Sequence, residues 1–296
     1  MIKKICDLIG IDSESAALFE DTYEKICASE EALKILECAK KKMFAGEVDF
    51  KELLPQIAKL SGAKRHASDM VFWLICAEPL REIYKKEGYS DEHCIDTLKD
   101  LAYKNNECIK VCGEPGVATD WFQQFFTLKR FTFGRLQYDI KTWVFEDYNK
   151  YLKKDGLVFG CHIPSCGPLH IEAVMDSIKR LYAFAKEKDL LVDGVLPIYT
   201  ATWLIYTPMI ELLPENSNMR KFHDLFDIIE NRHRPGNYSE NFRIFNKKYD
   251  GNPQSLKDLP EDTSLQRTLK KYYLEGGDQG IGVGVILYDG EEIINK

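Results

Sequence analysis

Within GCHIPSCGPLH, residues Gly160 to His170, an imidazole, a hydroxyl and a thiol fall within five positions: His162, Ser165 and Cys166. An imidazole can take the proton of an attacking amine. A thiol beside a helix start can be acidified enough to form a covalent acyl intermediate. Small residues running into a helix gather amides at the positive end of the helix dipole, where phosphates and developing oxyanions are held. Ser165, Cys166, Gly167 and Leu169 are the residues placed to do so, since Pro164 and Pro168 carry no N–H. Each residue also has a plain structural reading. His162 can fix the loop by bonding to backbone carbonyls, and Ser165 can cap the helix whose first turn holds Glu172.

A second group of candidates lies outside this loop. Arg135 and Gln137 alternate along FTFGRLQYDI and so share one face of a strand. A buried arginine needs a carboxylate or an anionic ligand. Trp203 and Tyr206, in LPIYTATWLIY, fall on opposite strand faces, so one of them at most lines a cleft while the other is core. Tyr272 and Tyr273, on a late helix, can supply an acid or pack against a sheet. Asn216 and Asn218 suit a turn or cap. Gln279-Gly280-Ile281-Gly282-Val283-Gly284 looks like a phosphate loop, but it leads into strand-like VGVILYDG with no helix after it, so the helix terminus that gives the motif its chemistry is missing.

The elements that must position these residues divide the chain. From Ile2 to about Leu128, apolar residues recur at three- and four-residue spacing, as in SAALFEDTYEKICA and DEHCIDTLKDLAYKNNECIKVCG. Ser29, Asp49 and Ser90 mark helix starts, and Gly46, Gly62, Gly88 and Gly113 mark ends. After Gly113-Glu114-Pro115-Gly116 the texture changes to strand-like runs: FTFGRLQYDI, GLVFGCHI, LPIYTATWLIY, FDIIE, NFRIFN and IGVGVILYDG. Among them lie helices at HIEAVMDSIKRLYAFAKEK, PMIELLPENSNMRKFHDLF and SLQRTLKKYYLEG. The expected fold is α+β: a helical bundle over residues 1–128, then a mixed, largely antiparallel sheet flanked by helices over residues 129–296.

Composition narrows the function. The 296 residues are 45% hydrophobic and 29% charged, which suits a globular domain with a sizeable core. A formal net charge of -7 argues against a nucleic-acid partner. No apolar run approaches a membrane span, so the expected setting is cytoplasmic, without membrane insertion. Nine cysteines lacking the spacing of a secreted scaffold fit reduced thiols there. Cys108 and Cys112 stand one helical turn apart and could share a metal, but no His or Cys pair at zinc-finger spacing completes a site, and no metal is expected.

RFTFGRLQYDI, GCHIPSCGPLHIEAVMDSIKRLYAF and TATWLIYTPMIELLPENSNMRKF together resemble bacterial acyltransferase-domain proteins that join a helical N-terminal region to a GNAT-like C-terminal domain. The resemblance spans essentially the whole chain. Its most specific parts are Gly134-Arg135-Leu136-Gln137, His162-Ile163-Pro164 with Gly167-Pro168-Leu169, Trp203 and Asn216-Ser217-Asn218. It implies that LVFGCHI leads through the loop into the helix and that LPIYTATWLI splays away, leaving a cleft for acyl-CoA or acetyl-CoA. It implies His162 and Tyr272 as catalytic residues. Ser165, Cys166, Gly167 and Leu169 would bind the co-substrate, and Arg135, Gln137 and Trp203 an unidentified small-molecule acceptor of amine type. The usual Arg/Gln-x-x-Gly-x-Gly/Ala signature is absent from the loop. That absence keeps open a non-catalytic binding or interaction module on the same fold.

Overall fold

The helical spacing from Ile2 onward folds as it predicts. A computed structural model describes residues 1–47, 50–117 and 121–295, and in it α1 (Ile2–Ile9), α2 (Ser13–Ala28), α3 (Glu30–Ala45), α4 (Phe50–Ser61), α5 (Arg65–Lys86), α6 (Asp91–Cys112) and α7 (Gln123–Phe126) follow one another. Ser29 Oγ accepts from the Ala32 N–H at 3.3 Å and Ser90 Oγ from the His93 N–H at 3.1 Å, so both expected starts are side-chain caps. Asp49, the third, lies outside the described residues. The residues from Ala67 to Ala77 are all buried, and from Met70 to Ala77 they are apolar on every side, which makes the middle of α5 a core helix. Trp73 anchors it, with the rings of Phe50, Phe72, Phe122 and Phe126 centred 5.0, 4.9, 5.4 and 5.1 Å away. These helices and β1 (Arg130–Phe133) form one compact unit, Met1–Phe133 with Pro164–Cys166.

The second unit comprises Gly134–Ile163 and Gly167–Lys296. It contains β2 (Leu136–Thr142), β3 (Leu157–His162), α8 (Ile171–Glu187), β4 (Leu196–Thr202), α9 (Thr207–Ile210), α10 (Asn218–His223), β5 (Asp227–His233), α11 (Asn241–Phe245), α12 (Ser264–Leu274) and β6 (Gly280–Tyr288). Among the described residues the six-stranded sheet has the order β1-β2-β3-β4-β6-β5. The pairs β2–β3, β4–β6 and β5–β6 are antiparallel, and β3–β4, joined through α8, is parallel. The mixed, largely antiparallel α+β class is thus the one the sequence implies.

Several elements depart from expectation. FTFGRLQYDI is two strands, because Gly134, at φ +62°, turns the chain between β1 and β2. Arg135 therefore belongs to a turn and does not alternate with Gln137 along one strand. NFRIFN forms α11: Gln266 Nε2 of α12 donates to the Ile244 carbonyl at 3.0 Å, a tertiary tie that local alternation cannot reveal. PMIELLPENSNMRKFHDLF is not one helix. Pro214 lies past the end of α9, and Ser217 Oγ opens α10 by accepting from the Arg220 N–H at 3.2 Å. Trp203 to Ile205 is a 3-10 turn, not strand.

That turn explains the glycine run. Gly280, Gly282 and Gly284 alternate on one face of β6, and the chain leaving β4 folds down onto them. A Cβ at Gly282 would lie 2.1 Å from the Ile205 carbonyl oxygen, and one at Gly280 would lie 2.4 Å from the Tyr206 ring. The motif is a seat for backbone. Gly282→Ala is expected to lower stability by about 1–3 kcal/mol through overpacking. Urea unfolding checks it, and an unchanged midpoint would show that the turn can lift away freely.

Candidate active site

Strand register decides which side chains meet. Gln137 pairs with His162, Asp139 with Gly160 and Lys141 with Val158 across β2 and β3. Alternation therefore puts Gln137, Asp139, Lys141 and His162 on one face of the sheet. The other face belongs to α8. There Ser177 Oγ accepts from the Leu136 N–H at 3.2 Å and lies 3.3 Å from the Tyr138 hydroxyl.

On the first face His162 and Asp139 form a diagonal pair. His162 Nε2 is 2.8 Å from Asp139 Oδ2, and Lys141 Nζ is 3.0 Å from the same oxygen. Gly160 makes this crossing possible, since a Cβ there would meet the Lys141 stem at 3.1 Å. Asp139 is 7% exposed and His162 23%, so the carboxylate is shielded while the imidazole reaches solvent. A carboxylate on Nε2 assigns the proton to that nitrogen and the lone pair to Nδ1, and it stabilises the imidazolium that forms when Nδ1 takes a proton. Such a pair can serve as a general base with an orienting carboxylate.

Beside the pair, the sheet opens. β3 and β4 are in register only at Phe159 with Ile198 and Gly160 with Tyr199, whereas β4 and β6 stay paired from Leu196 to Thr202. Beyond Gly160 the tie between the diverging strands is a side chain: Thr200 Oγ1 donates to the Cys161 carbonyl at 2.9 Å. His162, the last residue of β3, follows at once.

The loop after β3 is held from behind. The Arg135 guanidinium donates to the Gly167 carbonyl at 2.6 Å and to the Pro168 carbonyl at 3.1 Å. Gly167 takes φ +119°, which favours glycine. In a trans peptide the N–H points opposite to the carbonyl, so drawing the Pro168 oxygen toward Arg135 turns the Leu169 N–H the other way. His170 is the N-cap of α8 and supplies no side-chain cap, leaving the first-turn amides of Ile171, Glu172 and Ala173 without intrahelical acceptors. Asn218 Nδ2 approaches His170 Nδ1 at 3.5 Å, which sets the start of α10 beside the start of α8.

A GNAT-like C-terminal domain matches residues 130–286, and an N-acyltransferase N-terminal domain matches residues 1–128. The chain belongs to the GNAT-like N-acyltransferase family. Among solved structures, an acyltransferase in complex with decanoyl-CoA is 19% identical with a TM-score of 0.73, covering 96% of this chain and 86% of that one. An acyltransferase in complex with decanoyl-CoA and teicoplanin is 18% identical with a TM-score of 0.69, covering 97% and 100%. A third, in complex with CoA and 10C-teicoplanin, is 18% identical with a TM-score of 0.64, covering 96% and 99%. At these identities the likeness speaks for the fold. No curated protein matches the chain.

Within this GNAT-like frame the candidate residues separate. His162, Gln137, Arg135, Gly167 and Leu169 lie along β2, β3 and the loop of the second unit. Ser165 and Cys166 group with the first unit, where Ser165 Oγ lies 3.4 Å from Glu107 Oε2. The helix begins six residues after Ser165, so capping is not its role. Trp203 and Tyr206 are both buried in one cluster with Met209, Tyr238, Leu269 and Tyr273, which corrects the expectation of opposite faces. Tyr272 packs on the edge of that cluster. Asp139 and Thr200 are the residues that sequence reasoning missed. A single carboxylate amid the apolar run of LQYDI was the available signal, but only the register ties it to His162.

Arg135→Ala is expected to leave global stability within about 1 kcal/mol, its bonds being part-exposed. Amide exchange from Leu169 to Ala173 should speed up. Unchanged protection there would mean that Arg135 does not hold the loop.

Proposed function

We propose that this chain transfers an acyl group from acyl-CoA to a small-molecule amine. The observation that carries the reading is the parallel β3–β4 pair that stops after Gly160 and Tyr199, with the His162–Asp139 pair at its end and the uncapped start of α8 beyond it. The amides of Leu169 and the first turn of α8 would receive the pyrophosphate. Gly167 gives the loop its conformation and Arg135 holds it. The pantetheine arm would lie between the diverging strands and satisfy their backbone edges as a third strand would. Gln137, on the face of His162, remains the acceptor-side candidate, whereas Trp203 packs within the buried cluster with Tyr206 and does not line the cleft. Reduced thiols at nine cysteines fit the cytoplasm, where acyl-CoA is available. No helix among the described residues is long and apolar enough to cross a membrane.

In the reaction the amine lone pair attacks the thioester carbonyl. His162 Nδ1 takes the ammonium proton, and Asp139 stabilises the imidazolium on its far side. The tetrahedral intermediate collapses, the C–S bond breaks with its electron pair leaving on sulfur, and an amide forms. The thiolate is then protonated, by the imidazolium or by Tyr272. Burial pushes the Tyr272 hydroxyl upward, against the backbone hydrogen bond it takes from Asp278, so it holds its proton at neutral pH.

Calorimetry with acetyl-CoA and decanoyl-CoA, paired with thiol release measured on a panel of amines, tests this directly. His162→Gln is expected to lower kcat by about 10²–10⁴ while acyl-CoA still binds. Asp139→Asn should lower it with the same retention. Binding without turnover on any amine would favour the non-catalytic module, and no binding of either thioester to folded protein would defeat the proposal.

A further inference from the structure

The helical unit holds a second chemical cluster that acyl transfer does not use. Cys108 and Cys112 lie one turn apart near the end of α6, and Gly113 closes the helix immediately afterward by donating to the Ile109 carbonyl at 3.0 Å. The fold brings His66, from the first turn of α5, to the same place. One ligand atom from each of the three lies within 4.8 Å of the others. No spacing rule in the sequence links residue 66 to residues 108 and 112.

His66 is fixed there from several directions. Its carbonyl accepts from the Val117 N–H at 3.1 Å. Gly116 lies so close that a Cβ on it would come within 2.3 Å of the His66 carbonyl carbon. The Gly116 N–H in turn donates to buried Asn105 Oδ1 at 2.9 Å. The ring has its own support: Nδ1 is 2.7 Å from Glu114 Oε1, and Lys64 Nζ holds the other Glu114 oxygen at 3.2 Å. A carboxylate on one imidazole nitrogen orients the ring and makes the other a stronger donor, the arrangement that supports metal-bound histidines.

We propose that His66 Nε2, Cys108 Sγ and Cys112 Sγ bind one zinc ion, with water or an exogenous ligand in the fourth position. Two thiolates and an imidazole select a soft, tetrahedral divalent ion over magnesium or calcium. Zinc–sulfur bonds of about 2.3 Å and zinc–nitrogen bonds of about 2.0 Å set tetrahedral ligand atoms roughly 3.5–3.8 Å apart, within the 4.8 Å that bounds the observed separations. Two thiolates neutralise the ion, and the Glu114 charge is balanced by Lys64. Cys108 is buried and Cys112 partly exposed, so the ion would sit at the rim of the unit with an entry path. Bound there it joins the start of α5 to the end of α6. Because the thiols must lose their protons, binding weakens as pH falls.

The test uses the full chain, reduced and stripped by chelation, titrated with Zn²⁺ against a chromophoric chelator and with Co²⁺ by absorption. One ion per chain is expected, with a thiolate-to-cobalt charge-transfer band. Cys112→Ser should weaken binding by more than about 100-fold and remove most of that band, and Glu114→Gln should weaken it by about 10–100-fold. Cys27→Ser, at an exposed thiol, should change nothing. In the unmutated protein, Zn²⁺ should slow alkylation of Cys112, which keeps the test independent of any variant's folding. Equal affinity in the unmutated protein and Cys112→Ser, or alkylation indifferent to Zn²⁺, would overturn the proposal.

Discussion

The short parallel pairing of β3 with β4 is the constraint on which the rest of the second unit depends. Each strand is committed elsewhere: β3 to β2 from Leu157 to His162, β4 to β6 from Leu196 to Thr202. A crossover through α8 brings the two side by side, and the twist of each half then carries them apart. The opening is stable because the alternatives are taken. For the gap to close, β4 would have to leave β6, and the turn after β4 would have to rise from the glycine face of that strand. Unpaired backbone survives here only because so much paired backbone surrounds it.

The same commitment suits His162 to the role proposed for it. A histidine on a mobile loop would need its orientation restored in every encounter, whereas His162 ends a strand whose register against β2 places Asp139 diagonally opposite. The carboxylate is buried and shares its oxygen between His162 and Lys141, so its position is determined by two donors and a pleat. Sites built on strands in this way hold their geometry better than sites built on loops. In the proposed reaction the loop beyond is the part that meets the co-substrate, and Arg135 restrains it by the Gly167 and Pro168 carbonyls while turning the Leu169 N–H the other way.

Much of this organisation can be read from the residues. The helical half, the late helices, and the β3, β4 and β6 runs follow from periodicity, because burial of one face or of both leaves a regular mark. Elements decided by distant partners do not. α11 has the alternation of a strand and becomes a helix through Gln266, and the helix expected through Pro214 breaks into two short ones. Sites follow the same division. His162 and the loop stand out as candidates because they are neighbours in sequence. Asp139 reaches His162, and Thr200 reaches Cys161, across strands, and His66 meets Cys108 and Cys112 only because α5 and α6 pack together.

Charge presents an apparent conflict, since a chain of net charge -7 is read as binding a polyanionic co-substrate, with Glu172 in the first turn of the helix concerned. Range resolves it. Exposed charges are screened over about 8–10 Å at physiological salt, so the net charge of the surface acts weakly on a group held at the protein. Amides in the first turn of α8 act at hydrogen-bond distance, in the direction of a 17-residue helix dipole. Glu172 is exposed, and solvent carries most of its field away. Long-range attraction therefore contributes little here, and recognition is left to contacts made after the co-substrate arrives. Such a site depends on its loop being correctly shaped before binding, which is the role that falls to Arg135 and Gly167.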